Sequence, residues 1–389
     1  MPNDTKKPRT LVYLFCVFFY WCAIYIYSPT MTPYLADLGI SFTMIGIIGG
    51  AYGVSQLMIR VPLGIISDRL GKRKIFLIFG LIAVTISSFA MFLTENAYVF
   101  LFMRLLAGVA ASAWVIFTVL YTGYFEKEKQ ASRMQHLLIA NFGGLMISRL
   151  VGGMVAERFG HEFTFLAGGL AGIIAIVLCL FITEKATKPD ELPSIRTLFE
   201  VVKNKNLMIM SVLAAFNLMV LHSTINTFTS QAGEQAGAGS LELGIIAMVS
   251  SIPGIITSII CGRYFAKHKV NLQLIMAVAF FVQIIGALVI VFGTLSITAV
   301  YISAIVIASG CGLGLSVQIG FCTSTVEENR RTAAMGFFQS IYAIGMIIGP
   351  VIMGAFVDSA GLAGGFLAAA VFAVIGMVLS VVLIRKQAT

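Results

Sequence analysis

Long apolar runs dominate the chain, interrupted by short clusters of charged and turn-forming residues. They fall near 11–33, 43–67, 75–94, 97–122, 133–156, 162–183, 207–229, 241–265, 271–292, 295–322, 332–357 and 361–384. Each run holds the ~20 residues with which a helix rising 1.5 Å per residue crosses the hydrocarbon of a bilayer. The pattern predicts twelve membrane-spanning helices joined by short connections, with ends set to within ~3 residues. One connection reads as a linker: Glu184–Asn206 carries Pro189, Pro193, five basic and four acidic residues between the sixth and seventh spans. It divides the chain into 1–183, a linker 184–206, and 207–389. Within it, Leu198, Val201 and Val202 follow Ser194 at helical spacing, which suits either an amphipathic helix on the membrane surface or a solvated turn.

An internal repeat supports the division. A shift of 201 residues aligns Glu126–Ala167 with Glu327–Ala368 without a gap and with nine identities, among them Gly144/Gly345, Gly153/Gly354 and Gly160/Gly361. The acids Glu157 and Asp358 keep the same register. Two six-span units repeated in one orientation imply a pseudo-two-fold axis along the membrane normal and a cavity between the units.

Composition sharpens this picture. Of 389 residues, 59% are apolar and 11% charged, and mean hydropathy is +0.96. An ordinary soluble domain carries about a quarter charged residues, so a soluble globular protein is excluded. The net charge of +9 does not point to nucleic acid, because the basic residues are scattered between apolar runs and form no solvated patch. It reads as topology. With the N-terminus in the cytoplasm, 22 of the 26 basic residues fall on one side and only Arg158 on the other; Arg60, Arg104 and Arg149 lie within spans. Lys and Arg resist translocation, so both termini are expected in the cytoplasm of a bacterial-type plasma membrane. The basic start (Lys6, Lys7, Arg9) and the run from Leu11 to Ile26 read as a retained first span, not a cleaved signal. Six cysteines lie inside apolar stretches without CxxC or Cys/His spacing, so neither a metal site nor a disulfide framework is encoded.

Between the second and third spans the chain reads Gly64-Ile-Ile-Ser-Asp68-Arg69-Leu-Gly71-Lys72-Arg73-Lys74. Glycines at both ends permit close helix approach and a tight turn, and an acid at the membrane edge followed by four cations makes a compact charged hinge. This resembles the GxxxDRxGRR signature of the major facilitator superfamily, and twelve spans, a 6+6 repeat and a basic central loop extend the resemblance over the whole chain. It implies an all-α membrane protein of twelve transmembrane helices in two pseudo-symmetric six-helix bundles. It also implies a cytoplasmic gate at Gly64, Asp68, Arg69, Gly71 and Arg73, in which Asp68 latches one half to the other. In the second half Ala266 takes the place of the acid, ahead of Lys267, so the latch is expected to be one-sided. Arg104-Leu-Leu-Ala-Gly108 resembles the family's buried-arginine motif, associated with proton coupling. Gly144-Leu-Met-Ile-Ser148-Arg149-Leu-Val-Gly152-Gly153 aligns with the antiporter motif GxxxGPxxGG, with Ser148-Arg149 in place of its Gly-Pro; an intact Gly-Pro stands at Gly345-Met-Ile-Ile-Gly349-Pro350. These glycines and Pro350 are expected at helix contacts.

Every intramembrane charge is an arginine, and each costs ~3 kcal/mol or more at the centre of a span. Arg104 lies nine residues past Glu95 and Arg149 eight before Glu157, so both sit ~12 Å below the outer boundary; Arg60 is ~12 Å above Asp68 and the inner one. Either each arginine satisfies carbonyls and neighbours such as Gln56, Asn141 and Ser148, or Arg104 and Arg149 face the cavity and attract an anionic group, which guanidinium holds in a bidentate fork. The seventh span groups Asn217, His222, Ser223, Thr224, Asn226 and Thr227. His222, ~22 Å into that span, is either a hydrogen-bonded structural residue or a proton carrier. Tyr20, Trp21, Tyr25, Tyr27 and Trp114 either stack on an amphipathic ligand or form the interfacial belt; the belt suits Tyr25 and Tyr27, and Trp114 is too deep for it. The charge runs Glu126–Arg133 and Glu327–Arg331 read as solvated faces.

The expected function is secondary active transport of a small amphipathic or anionic molecule by alternating access, including proton-coupled efflux; uptake or exchange of an organic anion is the alternative. A receptor or membrane enzyme would need a His/Asp/Glu constellation at a membrane face or a sizeable outer loop. No Walker loop or nucleotide fingerprint is present, so no cofactor is expected. The expected partners are the small-molecule substrate, the lipid bilayer and protons, with no nucleic acid, and the protein is expected to be a monomer.

Overall fold

The computed structural model describes residues 10–184, 203–265, 271–326 and 331–384. The linker beyond 184, with its surface-helix reading, Ala266, Lys267, the Asp68 side chain and the charge run at 327–330 lie outside the described residues. The described chain is helical: α1 (Thr10–Tyr25), α2 (Met31–Asp37), α3 (Phe42–Leu70), α4 (Arg73–Phe92), α5 (Ala97–Ser112), α6 (Trp114–Thr122), α7 (Lys127–Phe159), α8 (Phe163–Leu180), α9 (Lys205–Ser223), α10 (Thr229–Gln235), α11 (Ser240–Val249), α12 (Ser251–Phe265), α13 (Leu272–Phe292), α14 (Ile297–Ser324) and α15 (Arg331–Leu383). Ten helical stretches among the described residues are long and apolar enough to cross a membrane. The last of them doubles back. Gly361 leaves helical geometry (φ 68°, ψ −173°), and Gly365 packs against Val357 and Met353, residues that a straight helix would hold ~12–18 Å away. With α1 and α2 as the opening span, the twelve-span pattern is complete, and the chain is an integral multi-pass membrane protein.

Polar residues set the helix ends. Asn96, Asn204, Asn271 and Ser296 each accept a hydrogen bond from a first-turn N–H, satisfying donors that the helix itself cannot. Gly71 makes the tight turn between α3 and α4 at φ 62°, where a β-carbon would be strained. Apolar side chains at Ile75, Phe79, Ile82 and Ile86 recur at helical spacing along the outer face of α4, and Leu170, Ile173 and Val177 along α8; all are exposed. Such stripes suit lipid.

Several spans are less regular than their apolar runs suggested. The first breaks at 26–30, where Pro29 interrupts the backbone pattern, and resumes as α2. The fourth breaks at Ala113 and the eighth at Ser250. In the seventh, Thr224–Phe228 forms a π-turn between α9 and α10. Ser223, Thr224 and Thr227 donate to the carbonyls of Met219, Val220 and His222 (2.6, 2.6 and 2.8 Å), the back-bonding by which short hydroxyl side chains bend helices. The fifth span begins earlier than expected, at Lys127, with the exposed Glu126–Lys129 pair at its start.

The bundle has two chemically different ends. The turns near Asp37, Glu95, Glu157, Glu162 and Asp358 make an acidic end; those near Arg69, Lys72, Lys129 and Lys203 make a basic end. Helices before residue 184 share one core around Tyr13, Tyr20, Leu81 and Phe117, and those after 203 another around Phe228, Phe280, Ile307 and Phe366.

Candidate functional site

The two helix groups meet most closely from the acidic end inward. A β-carbon at Gly46 would collide with the Pro350 carbonyl, and one at Gly50 would lie 2.6 Å from the Ile347 oxygen, so α3 and the first limb of α15 approach backbone to backbone. Gly153 on α7 faces Gly244 on α11, its β-carbon position 2.9 Å from the Gly244 Cα. Gly144 packs on Phe18, Gly152 on Ile26, Gly345 on Ala215 and Gly349 on Met219, each against backbone of its own group.

Two carboxylates fasten this closure. Asp358 accepts hydrogen bonds from the Phe42 and Thr43 amides, each at 2.8 Å, and from the Thr43 hydroxyl at 2.5 Å, so it caps the start of α3 from the opposite group. Glu157 accepts from the Leu241 amide at 3.1 Å and so caps α11, while His161 pairs with the Ser240 hydroxyl at 2.9 Å. Each acid sits near the C-terminal end of its own helix and serves the positive N-terminal end of another. Glu157 and Asp358 also share register in the repeat.

The intramembrane arginines lie along the same interface. Arg149, 4% exposed, donates through one terminal nitrogen to the Ala247 carbonyl (3.0 Å) and the Ser251 hydroxyl (2.7 Å) and through the other to the Asn226 amide oxygen (3.0 Å). Its guanidinium stands 5.3 Å from the centre of the Tyr25 ring. Arg104 donates to the Tyr27 hydroxyl at 3.2 Å and lies 4.8 Å from the Tyr52 ring centre. Arg60 donates to Gln56 on its own helix and, at 2.9 Å, to Gln339 on α15. In all three the Nε hydrogen is buried without an acceptor in the protein. No carboxylate pairs with any of them among the described residues, so aromatic faces and neutral oxygens carry the compensation.

Two small cavities adjoin these groups. One, of about 30 Å³, is lined by Tyr25, Tyr27, Tyr52, Arg104, His222 and Asn226 among others; the second, of about 10 Å³, by Ser28, Arg149, Asn226, Thr229 and Ser230 among others. Ser28 and Asn226 line both, so Arg104 and Arg149 flank one polar seam between the groups. Such volumes admit one or two water molecules each. Neither cavity has room in this state for a molecule much larger than water.

Several expectations change here. Tyr27 is 1% exposed and bonded to Arg104, and Tyr25 lies against Arg149, so neither belongs to an interfacial belt. Trp114 packs on Trp21 with ring centres 5.4 Å apart and lines neither cavity. Asn141 and Ser148 are not among the arginines' hydrogen-bond partners; the Ser148 hydroxyl donates to the Leu145 carbonyl. At the basic end, no described atom lies within 4 Å of the Gly64 β-carbon position. The Arg73 and Lys74 amides instead donate to Glu184, at the end of the sixth span, and Lys74 reaches the Leu180 carbonyl at 2.7 Å. Arg69 is exposed. Tyr52, Ser251 and Gln339 had no signal in the sequence beyond residue type. No cluster of three or more His, Cys, Asp or Glu side chains that could hold a metal occurs among the described residues.

Two helix groups in a membrane that meet at a polar seam are the architecture of secondary transporters. The Major Facilitator Superfamily profile matches residues 13–326 and 275–389, and the chain belongs to that superfamily. It is 25% identical over 376 residues to the uncharacterised MFS-type transporter MJ1560 of Methanocaldococcus jannaschii, with 92% of this chain and 94% of the relative covered. It is 24% identical over 393 residues to the quinolone resistance protein NorA of Staphylococcus aureus, with 97% of each covered. The crystal structure of the nucleoside transporter NupG superposes with a TM-score of 0.80 at 15% identity, over 96% of this chain and 98% of that one.

Proposed function

We propose that the protein moves a small amphipathic molecule bearing an anionic group across the membrane, by alternating access between the group before residue 184 and the group after 203. The observation that carries this reading is Arg104. Its guanidinium lines the larger cavity at the seam and, among the described residues, has one hydrogen-bond partner and no acid paired with it. A desolvated cation in that position favours an anionic guest, and Tyr25, Tyr27 and Tyr52 offer apolar ring surface for the rest of the molecule. Closure at the acidic end supports a state in which substrate exchanges at the basic end. If that end faces the cytoplasm, as the distribution of Lys and Arg favours, the captured state faces the cell interior.

The relationship to NorA favours export over uptake. His222 is the proton carrier in this reading: it lines the same cavity as Arg104, with no acid among the described residues that line it. The division at 184–206, the gate at Asp68 and the monomeric state belong to the same reading. A thermal-shift series on the purified protein tests it, because a ligand that binds only the folded state raises the melting temperature by mass action. Benzoate and other aromatic carboxylates should stabilise, benzamide should stabilise less, and tetraphenylphosphonium should not. Stabilisation by the cation alone would replace the anionic reading with one of cationic compounds.

A further inference from the structure

Arg149 differs from Arg104 in the source of its partners. All three of its hydrogen-bond acceptors belong to the opposite helix group: Asn226 in the π-turn, the Ala247 carbonyl on α11 and the Ser251 hydroxyl on α12. What its own group supplies is the Tyr25 ring and, lining the same small cavity, Ser28. The Ser28 hydroxyl and the Arg149 Nε are both buried without a partner in the protein. The acceptors are neutral, which matters for a contact that must release. A carboxylate in their place would form a buried ion pair whose breaking costs several kcal/mol, whereas neutral acceptors hold the charge more loosely.

Parting of α7 from α11 and α12 at the acidic end carries all three acceptors away at once. The guanidinium is then left with an aromatic face, an adjacent hydroxyl donor and an uncompensated charge in a low-dielectric wall. The geometry points to a second, state-dependent binding site: on opening at the acidic end, Arg149, Ser28 and Tyr25 take the carboxylate of the substrate, and Asn226, Ala247 and Ser251 displace it on closing. The fork of Arg149 matches a planar carboxylate, Ser28 adds a donor, and the Tyr25 ring covers an aromatic body. At this second site Asn226 is thus a competitor of the substrate for Arg149, not a contact to it. Displacement on closure couples the shape change to ligand release, since a ligand shifts a two-state equilibrium only through its different affinity for the two states.

This inference rests on the anionic reading above, and benzoate binding by titration calorimetry separates the two. Asn226→Ala removes one acceptor that competes for Arg149 and should bind benzoate about five-fold more tightly than wild type, the equivalent of one neutral hydrogen bond near 1 kcal/mol. Asn226→Asp supplies a permanent anion and should lower benzoate affinity at least ten-fold. Arg149→Lys keeps the charge without the fork and should also bind more weakly than wild type. If wild type binds benzoate and Asn226→Ala binds it equally or less well, Asn226 does not compete and the state-dependent site is wrong while the anionic reading stands. If wild type and every variant fail to bind benzoate, the anionic reading falls and this site falls with it.

Discussion

Asp358→Asn isolates the closure at the acidic end. The substitution keeps side-chain size and removes the charge. In the native protein one carboxylate oxygen accepts the Phe42 amide at 2.8 Å and the other accepts both the amide and the hydroxyl of Thr43. Asparagine retains one oxygen and turns the other position into a donor facing a backbone N–H, so at least one of the three contacts is lost. Hydrogen bonds of this kind contribute ~1 kcal/mol each net, and a carboxylate at a helix N-terminus adds ~0.5 kcal/mol. Asp358 is exposed, so screening by solvent brings the sum down to about 1–2 kcal/mol. That corresponds to a roughly 5–30-fold shift of the closed–open ratio at the acidic end. Spin labels at Glu95→Cys and Ala360→Cys, with Cys261 replaced by Ser, report it as an inter-label distance distribution: both positions are exposed, and the five other cysteines are buried. The variant should gain a longer-distance population, and Glu157→Gln, which loses one 3.1 Å contact, should gain a smaller one. Identical distributions for Asp358→Asn and wild type would refute the capping argument.

Three further outcomes follow from the packing and the charge pattern. Gly152→Ala drives a methyl group into the Ile26 carbonyl and should destabilise the protein by ~1–3 kcal/mol, whereas Gly64→Ala, inside α3 with no described atom within 4 Å of the added methyl, gains helix propensity and should not lower the melting temperature. Asp68→Asn should reduce transport with little change in expression; wild-type flux would remove Asp68 from the gate. Reporter fusions at Lys386 and within 188–203 should both signal from the cytoplasm, and an outward signal from either would overturn the assigned orientation.

The spans were legible because a bilayer demands one thing of every crossing helix, and the chain meets it with unbroken apolar runs. Interruptions within those runs were harder to read: Ala113 differs little from its neighbours, and although Pro253 cannot donate to the Val249 carbonyl and so favours a break at Ser250, the apolar run continues across it. Tyr27 was misread for a related reason. Its sequence depth matches an interfacial belt, but the unwinding at 26–30 accompanies its burial against Arg104 and Phe165. The arginines announced themselves by cost alone, and their partners did not. A backbone carbonyl such as that of Ala247 leaves no trace in residue type, and Asn226 reaches Arg149 from a turn whose geometry only the folded chain reveals. The register of Glu157 with Asp358 was visible in the repeat, yet its meaning appeared only when each proved to cap a helix of the opposite group.

Flux of radiolabelled benzoate and of tetraphenylphosphonium in proteoliposomes, for wild type and Arg104→Gln, tests the central claim most directly. The account predicts saturable benzoate flux by wild type, none of the cation, and a ten- to hundred-fold loss of apparent benzoate affinity in the variant, the measure of a bidentate contact of ~1.5–3 kcal/mol. Unaltered benzoate flux in Arg104→Gln, or saturable transport of the cation by wild type, would contradict it.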